Sequence, residues 1–169
     1  VGVPKVESAR QMVARLNPHV TVEAHPERID AANALDIISR YDIVADGSDN
    51  FATRHAVNRA CVKHKKPLVS GAGVRFDGQI AVFDMRDAKA PCYACLFPED
   101  SQSEEVRCAV MGVFAPLTGI VGCIQAAEAL KILIGAGQPL AGRLMLVDAL
   151  AMDIRTIRLK KDAACAVCG

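Results

Sequence analysis

Apolar residues recur at helical spacing along three parts of the chain. A first helix is predicted to begin at Pro4 and to end at Asn17-Pro18, and another falls within the long apolar run of residues 110–134. Between them a helix is predicted after residue 50, with an inner face of Thr53, Ala56, Val57, Ala60 and Cys61. A weaker helical pattern covers residues 32–40. We expect most of the long apolar run to be a buried helix.

Short apolar or alternating runs predict six strands. They cover residues 20–24, 41–45, 67–70, 78–84, 143–147 and 154–159. Because a helix separates the second run from the third, these two strands are expected to be parallel and joined by a right-handed crossover. The last two runs are close enough in sequence to form an antiparallel hairpin. The predicted fold class is therefore α/β, with parallel and antiparallel parts.

Composition places the chain among globular proteins with a substantial core. Its 169 residues are 51% hydrophobic and 23% charged, which suits a single domain over residues 1–169. The formal net charge of +1 gives no general electrostatic reason to bind nucleic acid or an anionic membrane. Gln125, Glu128 and Lys131 interrupt the long apolar run, and a lipid-exposed helix would not tolerate them. We therefore expect neither a nucleic acid nor a membrane as partner.

Two cysteine pairs of identical spacing, Cys92-Tyr-Ala-Cys95 and Cys165-Ala-Val-Cys168, supply the four thiolates of a tetrahedral zinc site. Such a site would fasten the C-terminal residues to a loop in the middle of the chain. Because no open coordination position remains, its role would be structural. Two local disulfides, a redox dithiol and simple packing are the alternatives. An odd total of seven cysteines and no N-terminal leader pattern favour a reducing cytoplasm, where thiols stay free for metal.

Polar residues follow the predicted strand at residues 41–45. Ligands of open parallel sheets collect beyond the carboxyl ends of strands, where Asp46, Asp49 and Asn50 are predicted to lie. Asp49 suits magnesium, while either Asp49 or Asn50 could cap the following helix. Arg54 lies one helical turn further on and is compatible with a local surface pair. Lys5, in a first helical turn, suits a phosphate, although a solvated lysine is the common alternative.

The three remaining cysteines have different surroundings. Cys61 and Cys123 lie on apolar helical faces and are predicted to be core residues. Cys108 follows Arg107, whose charge would lower the pKa of its thiol, so a nucleophile and a buried thiol both remain open. The segment Gly71-Ala-Gly73 is not a dinucleotide-binding fingerprint and indicates only a close approach of two backbones.

A succession of motifs runs through the whole chain. They are Gly2-Val-Pro-Lys-Val-Glu-Ser8, Asp46-Gly-Ser-Asp-Asn50 with Arg54 and Asn58, Ser70-Gly-Ala-Gly-Val-Arg75, Gly78-Gln-Ile80, Pro91-Cys-Tyr-Ala-Cys95 and the final cysteine pair. This succession resembles the ThiF/MoeB/HesA family, the bacterial relatives of ubiquitin-activating enzymes. The resemblance implies a Rossmann-like mixed sheet, stapled by zinc.

The resemblance also implies an adenylyltransferase. Members of the ThiF/MoeB/HesA family use ATP and Mg²⁺ to adenylate the C-terminal glycine carboxylate of a ubiquitin-like sulfur carrier. The carrier then serves sulfur transfer to molybdopterin or thiamine. Carried over by motif, Lys5 resembles the family lysine that contacts the phosphates and Asp49 the aspartate that serves the metal, and Asn50 and Arg54 are expected beside them in the nucleotide site. Cys108 resembles a cysteine that in some members forms a persulfide or acyl link to the carrier. A homodimer is implied, with residues 113–134 as one contact surface.

One departure from the family pattern concerns the beginning of the chain. Family members start with a strand, a glycine-rich nucleotide loop and an acidic residue for the ribose, and this sequence starts after them. We therefore expect it to correspond to the C-terminal two-thirds of an adenylation domain, and to bind ATP poorly on its own. Two other functions remain open: a non-catalytic, zinc-stabilised carrier-binding module, and a tRNA-base dehydratase of the same superfamily, which the near-zero net charge disfavours.

Overall fold

The computed structural model describes residues 2–99 and 111–169 and contains one mixed sheet with helices on both faces. The strands are β1 (Val44–Asp46), β2 (Pro67–Val74), β3 (Asp77–Asp84), β4 (Arg143–Asp148) and β5 (Asp153–Arg158). The helices of the described residues are α1 (Lys5–Leu16), α2 (Ala34–Ser39), α3 (Phe51–His64), α4 (Tyr93–Leu96) and α5 (Ala115–Ile134).

The strands follow one another across the sheet in chain order, β1 to β5. The first two are parallel and are joined by α3, and every later pair is antiparallel. In the final hairpin Arg143 pairs with Arg158 and Asp148 with Asp153. The predicted α/β class, the parallel crossover and the C-terminal hairpin are therefore confirmed.

Three strand predictions need correction. The strand predicted over residues 41–45 is observed only as β1 (Val44–Asp46), because its pairing with β2 covers these three residues alone. Residues 20–24 form no strand, because the described sheet begins with β1 and no neighbour supplies ladder hydrogen bonds beside them. The strand predicted over residues 67–70 continues as β2 to Val74. Its full length pairs with β3, from Pro67 opposite Asp84 to Val74 opposite Asp77, and this tertiary pairing overrides the weak strand preference of the glycines within it.

The core has two parts, one on each face of the sheet. Neighbouring residues of β2 point to opposite faces, so Leu68 packs with α3 and Val69 packs with α5. Cys61 of α3 is completely buried, as predicted, and burial raises the pKa of its thiol to about 12. It is therefore a core residue and not a reactive one.

Helix α5 covers the second face of the sheet with a single stripe of side chains. Its buried residues are Leu117, Val121 and Glu128. The prediction that most of this run is buried is wrong, because the opposite stripe has nothing to pack against within the described part of one chain. Cys123, predicted to be a core residue, is exposed on α5. Leu133 is likewise 55% exposed.

By length and composition, α5 is the one helix in the described part of the chain that could cross a membrane. Its polar contacts instead tie it to the rest of the domain. Glu128 is buried, pairs with Lys131 at 2.5 Å and accepts a hydrogen bond from the Leu140 amide at 2.6 Å. Gln125 donates to the carbonyl oxygens of Asp46 (3.0 Å) and Val69 (3.1 Å). These contacts are those of a helix packed on a sheet.

Gly71 is required for the contact between β2 and Gln125. A Cβ at this position would lie 2.3 Å from the Gln125 side chain, which would have to leave the carbonyl groups of β1 and β2. We expect Gly71→Ala to lower the free energy of unfolding by about 2–3 kcal/mol, because two buried acceptors lose their donor. Gly47→Ala, where the added Cβ meets nothing within 4 Å, is the matched control in urea denaturation. Equal stabilities of the two variants would contradict this role of Gly71.

Candidate functional site at the ends of the first two strands

A cleft of about 670 Å³ opens at the carboxyl ends of β1 and β2. Lys5 reaches it from the first turn of α1, and Asp49 and Asn50 reach it from the loop after β1. The inner wall contains Arg54, and the apolar wall includes Val74, Val121 and Leu146. Two side chains that are far apart in sequence, a lysine and an aspartate, therefore share one cavity, as expected from their positions next to a strand end and a helix start.

Asn50, in the loop between β1 and α3, is the residue that caps helix α3. Asn50 has extended backbone angles, and its side-chain oxygen accepts a hydrogen bond from the Thr53 amide at 2.8 Å. Asp46 accepts a hydrogen bond from the Ser48 amide at 2.8 Å and so closes the preceding turn. Because Asn50 is the cap, Asp49 is not needed for this role and its carboxylate faces the cleft.

Asp49 is exposed, and the pKa of its carboxyl lies below the usual range. The main cause is the hydrogen bond that the Asn50 side chain donates at 3.2 Å, followed by a backbone hydrogen bond. The nearby charges of Lys5 and Arg28 add to the effect. A carboxyl group with a lowered pKa is ionised at neutral pH, so Asp49 offers hard oxygen atoms to a divalent cation.

Removing the cap at Asn50 should weaken the first turn of α3. We expect Asn50→Ala to lower the free energy of unfolding by about 1 kcal/mol, because the Thr53 amide loses its acceptor. Asn50→Ser, which keeps a capping oxygen, should recover most of this loss in the same thermal or urea denaturation experiment. If the serine variant were no more stable than the alanine variant, the cap would not contribute to stability.

Arg54 does not form the surface pair with Asn50 that its spacing allows. Its side chain is buried and donates to the carbonyl oxygen of Ser48, to that of Gly71 at 2.9 Å and to the Ser70 hydroxyl at 3.1 Å. The Asp46 carboxylate lies 3.5 Å away. Arg54 therefore connects the loop after β1 to β2, because its guanidinium donates hydrogen bonds to Ser48 in the loop and to Gly71 in β2.

The four paired cysteines converge, although many residues separate the two pairs. All four sulfur atoms lie within 4.8 Å of one another, with Cys92 Sγ 3.8 Å from Cys165 Sγ and Cys95 Sγ 3.5 Å from Cys168 Sγ. Four sulfurs at about 2.3 Å from a tetrahedral zinc would be roughly 3.8 Å apart, whereas a disulfide requires about 2.05 Å. The cluster therefore fits a metal, and its cysteines are not paired as disulfides.

Neighbouring groups hold this cluster in place. The Asn58 side chain donates to Cys92 Sγ at 3.6 Å and accepts a hydrogen bond from the Tyr93 amide at 3.0 Å. Burial raises the pKa of the Cys92 thiol, so its thiolate form needs a neighbouring positive charge. A divalent cation would supply that charge, and the hydrogen bond from Asn58 fixes the direction in which the sulfur points.

Sequence reasoning misses two residues of the site, Gln125 and Tyr93. Gln125 stands out in the sequence only as a polar interruption of an apolar helix, and such an interruption is a usable signal for a buried hydrogen bond. Tyr93, inside the first cysteine pair, lines the cleft. Burial raises the pKa of its hydroxyl to about 12, so the group is protonated at neutral pH. Cys108 lies outside the described residues.

Comparison with known proteins gives consistent results. A model of the ThiF family matches residues 1–167. The chain is 49% identical to a sulfur carrier protein adenylyltransferase of Thermus thermophilus and 42% identical to the molybdopterin-synthase adenylyltransferase of Escherichia coli K12, in both cases over the whole chain. It is 44% identical, over 99% of its length, to the adenylyltransferase and sulfurtransferase MOCS3 of Drosophila grimshawi. It spans 64%, 67% and 37% of these relatives, respectively.

Solved structures resemble the whole chain as well. The structure of Escherichia coli MccB with ATP matches with a TM-score of 0.81 and 20% identity, covering all of this chain and 51% of that one. MccB with MccA-N7isoASN gives a TM-score of 0.82 at 21% identity, covering all of this chain and 52% of that one. At such identities the likeness concerns the fold, and it agrees with the Rossmann-like mixed sheet predicted from the sequence.

Proposed function

This chain belongs to the ThiF family, and we propose that it carries the phosphate-binding and metal-binding part of an adenylation site. The proposed reaction transfers AMP from ATP to the C-terminal glycine carboxylate of a ubiquitin-like sulfur carrier. The observation that carries this proposal is that Lys5 and Asp49 line the same cleft, at the carboxyl ends of two parallel strands.

The chemistry explains why these residue types are needed. A carboxylate oxygen of the carrier forms a bond to the α-phosphorus of ATP, and the bond to the bridging oxygen breaks as pyrophosphate leaves with its electron pair. Two anions must approach each other for this step, so the site must supply positive charge and alignment. Lys5 offers an ammonium group to the phosphates. Asp49 would hold Mg²⁺, which neutralises phosphate charge when bound.

The residues that line the cleft suit both substrates. Lys5, Asp49 and Asn50 supply polar and charged groups for the triphosphate, whereas Val74 and Leu146 supply apolar surface for the glycine backbone that precedes the terminal carboxylate of the carrier. Asn50 and Arg54 keep the loop beside the phosphates in place, because the first caps α3 and the second fastens the loop to β2.

The remaining parts of the proposal rest on the cysteine cluster and on the family. Zn²⁺ bound by Cys92, Cys95, Cys165 and Cys168 would be structural, because four thiolates complete a tetrahedral site. We further propose that the protein is cytoplasmic, where thiols remain reduced, and that Cys108 forms the covalent link to the carrier.

We also propose a homodimer that forms through the exposed apolar stripe of α5. The exposure of two apolar side chains on this stripe supports it, since Leu133 is 55% exposed and Ile134 is 71% exposed.

Carrier-dependent ATP–pyrophosphate exchange tests the proposed reaction. The longest natural polypeptide that contains this chain is mixed with labelled pyrophosphate, ATP and a ubiquitin-like carrier ending in glycine. Exchange should require the carrier and should disappear when its terminal glycine is removed. Exchange with tRNA in place of the carrier would favour the dehydratase, and carrier binding with no exchange would favour a non-catalytic module.

A further inference from the structure

The end of the sheet opposite the cleft carries an excess of positive charge. β2 and β4 begin at this end, β3 and β5 finish at it, and α3 ends beside it. We call this surface the basal edge and define it by Asp42 and residues 63–66, 84–89, 143 and 158–162. It contains nine lysines and arginines and four aspartates, an excess of five positive charges, whereas the net charge of the whole chain is +1.

Contacts between distant parts of the sequence hold the basal edge together. Across β2 and β3, Pro67 pairs with Asp84, which brings the end of α3 next to residues 84–89. Lys161 Nζ donates a hydrogen bond to the carbonyl oxygen of Ala88 at 3.0 Å. The start of β4 pairs with the end of β5. The charges of these segments therefore lie on one surface.

Most of the positive charge on the basal edge has no partner. Six basic side chains, five of them exposed, lack a hydrogen bond or ion pair to any described residue, and they are Lys63, Lys65, Lys66, Lys89, Arg158 and Lys160. Among the aspartates, Asp84 pairs with Arg86 at 2.7 Å. Asp87 and Asp162 accept hydrogen bonds from backbone amides, and Asp42 is exposed. The basal edge is therefore a positive surface that the chain itself does not neutralise.

Two arginines of the basal edge face each other directly. Arg143 pairs with Arg158 across β4 and β5, and like charges in this arrangement repel. Arg143 donates a hydrogen bond to the carbonyl oxygen of Pro139 at 2.9 Å, but this neutral acceptor removes no charge. An anion bound across the two strands would relieve the repulsion. The basal edge therefore favours a negatively charged partner.

We propose that the basal edge binds an acidic peptide segment of a second protein. Carboxylates along such a segment complement the six unpaired cations, which come from separate parts of the sequence. β2 and β3 are each eight residues long, so the basal edge lies about 25 Å from the cleft. A peptide bound at the basal edge therefore leaves the cleft open to its own ligands.

The groups on the basal edge fit carboxylates better than the phosphates of a nucleic acid. α3 ends there at its cap Lys65, and the negative end of a helix dipole disfavours a phosphate. The exposed phenylalanines of the described residues, Phe76 and Phe114, lie near the opposite end of the sheet and cannot stack on bases bound at the basal edge. Five of the six unpaired cations are lysines, whose flexible point charges can follow a peptide.

Binding of a fluorescently labelled oligoglutamate to the full chain, measured by anisotropy, tests the proposal. The wild type should bind this probe, and added salt should weaken the binding because exposed charges are screened. One variant that combines Lys63→Glu, Lys89→Glu and Lys160→Glu should bind at least about tenfold more weakly, since each change replaces an attraction with a repulsion. A wild type that does not bind oligoglutamate would overturn the proposal.

A control variant separates the basal edge from the net charge. It combines Arg28→Glu, Arg75→Glu and Arg155→Glu, which change the net charge by the same amount at exposed positions outside the basal edge. This variant should bind oligoglutamate as the wild type does, and an equal loss in both variants would refute the assignment. If the basal variant does not fold, glutamine at the same three lysines decides, and unchanged binding would again be the contrary result.

Titrations with duplex RNA and with phosphatidylserine vesicles test the other classes of anionic partner. The basal edge spans four strands, or about 15 Å. A rigid duplex or a flat membrane brings only a few phosphates to so small a surface, whereas a flexible peptide can reach all the cations. At physiological ionic strength we therefore expect the tightest binding for oligoglutamate. Tighter binding of RNA or vesicles, lost in the basal variant, would assign the basal edge to that partner and contradict the proposal.

Discussion

Replacing Cys92 or Cys165 with alanine should destabilise the protein more than the loss of a helix cap or of a buried hydrogen bond. Structural zinc contributes roughly 10–16 kcal/mol of apparent binding energy in small peptides. Losing even a third of this binding energy would lower the melting temperature of a domain of this size by about 10–20 °C. Each variant should also lose its zinc, because three remaining thiolates make a weaker site, and metal analysis of the purified protein measures this directly.

Cys123→Ala is the matched control for these two variants. Cys123 is exposed on α5 and lies outside the cysteine cluster, so its loss should change neither the metal content nor the melting temperature. Wild-type thermal stability of Cys92→Ala and Cys165→Ala, with one equivalent of zinc still bound, would contradict the assignment of the cluster.

Asp49→Asn should have the largest effect on activity. The substitution keeps the size of the side chain and an oxygen that can accept from Asn50, but it removes the negative charge that a divalent cation requires. We expect the rate of carrier-dependent ATP–pyrophosphate exchange to fall by about 10²–10³, which is the size of effect produced when one group that stabilises charge is lost. Thermal stability should remain close to that of the wild type, because Asp49 is exposed.

Asp42→Asn provides the comparison for this loss of charge. Asp42 is also exposed, but it precedes β1 and therefore lies at the strand end opposite to the cleft. Its variant should exchange at the wild-type rate. A similar decrease in both variants would mean that the net charge of the protein, and not metal binding at Asp49, determines the rate.

Much of the architecture could be predicted because it depends on local patterns. The periodicity of α3 and the apolar runs on either side of it imply a parallel crossover, and the structure contains one between β1 and β2. The spacing within the two cysteine pairs likewise predicts that the four sulfurs meet, and they do. In both cases the feature depends on residues that are close together in the sequence: the apolar face of one helix in the first case, and the two cysteines of each pair in the second.

The errors concern features that depend on which groups are neighbours in space. Residues 20–24 alternate like a strand, but in the described structure no partner strand lies beside them. The apolar character of α5 predicts burial, but a helix on one side of a sheet buries only one stripe of its residues. Arg54 has the spacing of a surface pair with Asn50. Its side chain is buried instead, because its guanidinium donates a hydrogen bond to the carbonyl oxygen of Gly71.

The central claim is that the cleft activates a carboxylate of the carrier, and the fate of an oxygen atom tests it most directly. The carrier is prepared with heavy oxygen in its C-terminal carboxylate and incubated with ATP and the natural polypeptide that contains this chain. Hydroxylamine then cleaves the acyl adenylate at its carbonyl carbon, so the bridging oxygen leaves with AMP. We predict AMP that contains one heavy oxygen, as mass spectrometry would detect. Unlabelled AMP would show that water attacked the phosphorus and would contradict the proposed activation of the carrier.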